Sequence, residues 1–140
     1  MSPQEGASQN DLMQTTRPTQ VYIVDDSASI RSRLAEMLAT MPGVTLAGEA
    51  ASATDAVVGI LLAMPDSVLL DLNLKGRSGI EVLRAVRAQA PGIVFVVLTN
   101  HAEPQYRRAC TLAGAAYFLD KSTEFERVRD VIAEIAATRH

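Results

Sequence analysis

Short apolar runs and longer amphipathic stretches alternate along this chain from residue 20 onward. Five runs, at residues 20–24, 44–47, 67–70, 93–98 and 116–119, are rich in Val, Ile and Leu and begin at near-regular intervals. Runs this short, without strict polar alternation, suit strands buried on both faces, as parallel strands are. Between the first two, Ile30, Leu34, Met37, Leu38 and Met41 follow the spacing of an amphipathic helix, which Met41-Pro42-Gly43 ends. Ser52-Ala53-Thr54-Asp55 has the form of a capping box, with Asp for the usual Glu, and opens a helix through Val57, Ile60 and Leu61 that stops before Pro65. Ile80, Leu83, Val86 and Arg87 continue the pattern up to Pro91-Gly92. A weaker helix is predicted over 104–112. A last one is predicted over 124–137, with Val128, Val131, Ile132 and Ile135 on one face. Strands alternating with helices pair in parallel through right-handed crossovers. The predicted fold is therefore α/β: a doubly wound, five-stranded parallel sheet in the flavodoxin-like order 2-1-3-4-5, with five helices.

Composition narrows the setting. A length of 140 residues suits one domain able to bury a core without disulfides or metal. The formal net charge of −3 gives no support for a nucleic-acid or membrane surface. No stretch nears the ~20 apolar residues that span a bilayer, and the N-terminus lacks a signal-peptide pattern. Cys110 is alone, which rules out an intrachain disulfide and fits a reducing, cytoplasmic location. Residues 1–18 are polar apart from Leu12 and Met13 and read as a mobile N-terminal tail, leaving 19–140 as the domain.

The chemistry-bearing residues follow the strands. Asp25 and Asp26 come after the first, Asp71 after the third, Thr99 after the fourth and Lys121 after the fifth. Carboxyl ends of strands are where open parallel sheets bind ligands, and order 2-1-3-4-5 makes these four strands neighbours. Each residue alone has an ordinary reading. Acids favour helix N-termini, a strand can end on Asp, a turn can use Thr, and Lys is usually solvated. Their joint placement favours a shared site. Three carboxylates in one crevice repel unless a hard divalent cation joins them, and Mg²⁺ prefers oxygen ligands. A carboxylate can attack phosphorus and form an acyl phosphate, with Lys121 and the cation offsetting the incoming charge.

Four segments extend this reading: Val21-Tyr-Ile-Val-Asp-Asp26, Val68-Leu-Leu-Asp-Leu-Asn-Leu-Lys-Gly-Arg-Ser-Gly79, Val96-Val-Leu-Thr99 and Gly114-Ala-Ala-Tyr-Phe-Leu-Asp-Lys121. In this order and spacing the chain resembles the response-regulator receiver family, a group of chemotaxis-regulator-like two-component phosphoacceptors, over residues 19–137. The resemblance implies that Asp71 accepts a phosphoryl group. It implies that Asp26, Asp71 and the backbone carbonyl of Asn73 bind Mg²⁺ directly and Asp25 through water. Lys121 would contact the phosphoryl oxygens, Thr99 would swing toward the phosphorylated Asp71, and Phe118 would move inward as the switch aromatic. The implied donor is a phosphohistidine on a sensor histidine kinase or a histidine phosphotransfer protein. A receiver promotes its own phosphorylation and dephosphorylation and is not an enzyme for a separate substrate. The implied output is a downstream protein partner, with a phosphorylation-dependent homodimer compatible with it. Nucleic-acid and membrane binding are not expected of this sequence, which ends soon after the last helix.

Several positions depart from the family pattern. Ser122 follows Lys121 where many members have Pro after a cis bond, and which isomer is present here stays open. Lys75 stands where Pro is frequent after the acceptor, so a less rigid, more charged loop is expected. Asn100 replaces a small residue and narrows access to the site. His101 occupies a position that tunes phosphate lifetime in the family, or else is a solvent-facing loop residue. Two other readings remain open: a binding module of the same fold that works without phosphate, and a receiver fragment of a DNA-binding transcriptional regulator. An aspartyl-phosphate hydrolase would need a cap insertion, which the sequence lacks. Cys110 is expected to be a packed thiol, and Arg107, Arg108 and Tyr106 a solvated or partner-facing surface.

Overall fold

The computed structural model describes residues 17–138. Residues 1–16, which make up most of the predicted tail, and residues 139–140 lie outside the described residues. The order of elements is β1 (Thr19–Val24), α1 (Ala28–Ala39), β2 (Val44–Ala50), α2 (Ala53–Ala63), β3 (Ser67–Leu70), β4 (Asn73–Leu74), β5 (Arg77–Ser78), α3 (Gly79–Gln89), β6 (Val94–Thr99), α4 (Pro104–Ala113), β7 (Tyr117–Asp120) and α5 (Arg127–Thr138). The main sheet runs β2-β1-β3-β6-β7 with every pair parallel, which is the predicted order in terms of its five long strands.

Alternation along each strand divides the core. Val21 and Ile23 of β1, Leu69 of β3 and Val96 and Leu98 of β6 point to one face, where Leu34 and Leu38 of α1 and Val128 and Ile132 of α5 cover them. Tyr22, Val24, Val68, Leu70 and Phe95 point to the other, beneath Ile60 of α2 and Val82, Leu83 and Val86 of α3. A smaller cluster of Leu72, Val97 and Cys110 continues that second face under α4. A sheet buried on both sides explains why its strands read as continuous apolar runs.

Helix starts follow local chemistry. The Ser27 and Ser52 side chains accept from the N–H groups of Ile30 and Asp55. Ser78 caps α3 by accepting from Ile80 N–H. Several boundaries differ from the prediction. The last helix begins at Arg127 rather than 124, because residues 121–126 are taken up in turns after β7. β2 runs on to Ala50, since pairing with β1 carries it past its apolar part. The segment after Asp71 is a small antiparallel hairpin, β4–β5, rather than an open loop. Its two-residue turn is Lys75-Gly76, both with positive φ (51° and 87°), the geometry that two-residue hairpins favour. At the end of α2, Met64 takes the left-handed conformation (φ 47°) that glycine normally supplies. No peptide bond among the described residues is cis, so Lys121–Ser122 is trans.

Candidate functional site

The carboxyl edge of the sheet forms a cleft of about 280 Å³. It is lined by Asp25, Asp26 and Ser27 after β1, Ile30 of α1, Asp71 and Asn73 after β3, Asn100 and His101 after β6, and Lys121 after β7. Register aligns these ends: Val24 pairs with Leu70, Leu70 with Val97, and Thr99 with Asp120. Residues 96 positions apart thus meet directly. The Lys121 Nζ donates to Asp25 Oδ2 at 2.7 Å and to Asp71 Oδ2 at 3.1 Å.

Both carboxylates are nearly buried. Asp25 Oδ1 accepts from Ser27 N–H at 2.8 Å, and Asp71 Oδ1 accepts from Leu72 N–H at 2.7 Å with a longer contact from Asn73 N–H at 3.5 Å. Burial alone would push the Lys121 ammonium down. The hydrogen bond to Asp25 and the charges of Asp71 and Asp25 outweigh it and hold Lys121 above its ordinary value. Carboxylate oxygens of Asp25, Asp26 and Asp71 all lie within 4.8 Å of one another. Among the described residues only one ammonium, that of Lys121, faces these three charges, and the Asp26 carboxylate has no hydrogen-bonding partner. An all-oxygen cluster with about two uncompensated negative charges fits a hard divalent cation.

Thr99 lies behind the cleft rather than on its wall. It is fully buried, its Oγ1 accepts from His101 N–H at 3.2 Å, and its carbonyl accepts from Lys121 N–H at 2.8 Å. Phe118 is half-buried and packs against the cluster of Leu72, Val97 and Cys110. The Arg107 guanidinium sits 4.5 Å from its ring centre, with NH1 3.4 Å from the Phe118 carbonyl. Tyr117 points to the opposite face, and its hydroxyl donates to Glu134 at 2.9 Å. His101 is exposed at the rim, with its ring 5.6 Å from that of Tyr106. Cys110 is fully buried, and burial pushes its thiol up, in keeping with a packed, unreactive side chain.

Sequence reasoning missed the part played by four residues. Arg31, one turn into α1, donates to the Asp25 carbonyl at 2.7 Å and to Glu49 at 3.1 Å, fixing the end of β1. Gly79 sits so close to the chain at Asp71 that a Cβ there would collide with the Asp71 carbonyl oxygen. Asp120 and Ser122 shape the turn that carries Lys121. The Gly79 signal was present, as a glycine opening a helix just after the acceptor segment, but glycine has several uses. The Arg31 and Asp120 contacts depend on neighbours fixed only by the fold.

Comparison with known proteins agrees with this geometry. Residues 21–133 match the response regulator receiver domain family. The protein-glutamate methylesterase/protein-glutamine glutaminase 5 of Myxococcus xanthus is 34% identical over 128 residues, covering 89% of this chain and 37% of that protein. The response regulator GacA of Pseudomonas aeruginosa is 30% identical over 117 residues, covering 84% and 55%. The receiver domain structure of the putative response regulator NarL from Mycobacterium tuberculosis superposes with a TM-score of 0.79 at 26% identity, covering 86% of this chain and 98% of that one. The chain spans about half or less of the length of these curated relatives. No helix among the described residues is long and apolar enough to cross a membrane. With the strand order, the acid–lysine cleft and a family match over most of its length, this chain belongs to the receiver domains of two-component response regulators.

Proposed function

We propose that this receiver takes a phosphoryl group onto Asp71 from a phosphohistidine on a sensor histidine kinase or phosphotransfer protein. The observation that carries this reading is the convergence of Asp71, Asp25 and Lys121 within hydrogen-bonding distance, beside a third carboxylate, Asp26. Oδ1 of Asp71 is held by backbone N–H groups, which leaves Oδ2, on the lysine side, as the attacking oxygen. As the Oδ2–phosphorus bond forms, the bond from phosphorus to the donor imidazole nitrogen breaks and the imidazole leaves with its electron pair. Lys121 then shifts from the carboxylates toward the phosphoryl oxygens, so the same ammonium serves both states. Asp26, Asp71 and the Asn73 carbonyl would hold Mg²⁺, with Asp25 acting through water; the bound ion supplies charge neutralisation for the transferred group. The domain promotes its own phosphorylation and dephosphorylation and acts on no separate substrate.

Signalling follows from added charge. An acyl phosphate carries roughly −1.5 to −2 charge, by analogy with other phospho-residues, in place of the single charge of the free carboxylate. Thr99 would give up its bond from His101 and turn its hydroxyl to the phosphoryl group. Phe118 would then move inward from under Arg107, changing the surface of α4, β7 and α5 that a protein partner or a second copy reads. The receiver acts in the cytoplasm, with residues 1–18 as a tail beside the 19–140 domain.

Incubation with Mg²⁺ and a small phosphodonor tests the assignment. The parent chain gains one hydroxylamine-labile phosphoryl group by intact mass, and Asp71→Asn gains none. Equal labelling of both removes Asp71 from the role.

A further inference from the structure

Among the described residues Lys121 is the one cation lining the acid cleft, yet it sits on a turn and not within a strand or helix. No proline stiffens residues 120–124. A lysine side chain has four rotatable bonds, so its reach depends on how firmly its backbone is held. That backbone is tied on both sides. Lys121 N–H donates to the Thr99 carbonyl at 2.8 Å. Around it, the residues before and after form a closed set of hydrogen bonds. Oδ1 of Asp120 accepts from Ser122 N–H at 2.9 Å and from the Ser122 hydroxyl at 2.7 Å. Asp120 N–H donates to Glu124 Oε1 at 2.9 Å, while the Asp120 carbonyl accepts from Glu124 N–H at 2.7 Å. Glu124 is itself anchored by Arg127, at the start of α5, at 2.6 Å.

We propose that Asp120 and Ser122 are positioning residues for Lys121. The side-chain turn they form, braced by Glu124, sets where the ammonium reaches and so how fast the cleft takes up a phosphoryl group. Neither residue lines the cleft. The inference rests on the proposed role of Asp71. Asp120 accepts as a carboxylate, so its bonds from Ser122 are charge-assisted and stronger than those of an ordinary turn. The turn performs the stiffening that a proline ring gives by covalent means. The competing explanation is a turn that only stabilises the β7–α5 connection. The two differ in what they do to cation binding. Lys121 competes with a divalent cation for Asp25 and Asp71, so a loosened ammonium slows phosphoryl uptake and tightens Mg²⁺ binding. A general loss of structure weakens both.

The test uses the full chain and the variants Asp120→Ala, Asp120→Asn and Ser122→Ala. Mg²⁺ affinity is measured by calorimetric titration, and uptake from phosphoramidate is measured at saturating Mg²⁺. Asp120→Ala slows uptake about tenfold, as misplacing a reacting group does. In the same variant Mg²⁺ binds about threefold more tightly, because the competing ammonium is freer. Asp120→Asn keeps an acceptor oxygen and stays within about twofold of the parent in both. Ser122→Ala, which retains the backbone bond, falls between. Parental uptake by Asp120→Ala overturns the proposal, and so does Mg²⁺ affinity that is unchanged or weakened. If the parent itself takes up no phosphoryl group, the proposed function fails, and the Mg²⁺ comparison alone decides the positioning role.

Discussion

The two edges of the same sheet carry two hollows of opposite character. At the carboxyl edge, a cleft of about 280 Å³ gathers three carboxylates and a lysine. At the amino edge, a groove of about 590 Å³ lies before β3 and β6, lined by Met64, Pro65, Ala90, Pro91, Gly92 and Ile93 among others. The larger hollow is the chemically poorer one. Both edges are bounded by strand ends and helix ends, so packing alone does not tell them apart. Strand direction does: in a parallel sheet all carboxyl ends face one way, and residues just past them share one edge. Volume is therefore a poor guide here, and convergent titratable groups are a better one.

This contrast can be broken most severely at Lys121. Lys121→Ala should slow phosphoryl uptake by about a hundredfold or more, by loss of the preorganised charge. Without Mg²⁺ it should also destabilise the domain by about 3 kcal/mol, since two nearly buried carboxylates lose their ion partner. Saturating Mg²⁺ should recover much of that stability through linkage, which thermal unfolding with and without the ion measures.

Gly79→Ala is next. The added Cβ would meet the Asp71 carbonyl oxygen and come within 3.0 Å of Leu72 Cα, so the backbone that aims Asp71 must shift. A loss of about 2 kcal/mol in denaturant unfolding, with slower uptake, is expected for overpacking of this kind. An unchanged unfolding midpoint would show that the helix can retreat without cost.

The amino edge gives the opposite result. Met64→Gly relieves a side chain from a left-handed conformation, with a gain of about 0.5–1 kcal/mol and no change in uptake. A change in phosphorylation rate there would break the separation of the two edges.

The smallest effect concerns pH. Hydrogen bonds from Ser122 hold the Asp120 carboxyl below its usual range, and the Asp120 N–H and Arg127 do the same for Glu124. A depressed carboxyl stabilises the fold above its unfolded value, about 4, and that contribution fades as pH falls through the depressed values. The thermal midpoint of Ser122→Ala should thus lie slightly below the parent's near neutrality and converge with it once acid has protonated the Asp120 carboxyl. A gap that persists in acid would assign the effect of Ser122 to something other than the ionised Asp120.

The sequence by itself determined a great deal. Apolar runs of strand length, spaced one strand–helix unit apart, dictate a doubly wound sheet, because alternating elements pack in few ways. Asp25, Asp26, Asp71 and Lys121 were legible as a site because strand direction puts them at one edge and strand order makes them neighbours. Tertiary structure decided what depends on contacts between distant segments. It moved Thr99 behind the cleft wall, where its hydroxyl meets His101 N–H. It brought Arg31 under the Asp25 carbonyl and closed the Asp120–Glu124 turn around Lys121. It folded the segment after Asp71 into a hairpin through the positive φ of Lys75, a residue whose type does not announce that conformation. Periodicity in the chain records which side of an element is buried; which atoms then touch is fixed only when elements far apart in sequence are packed together.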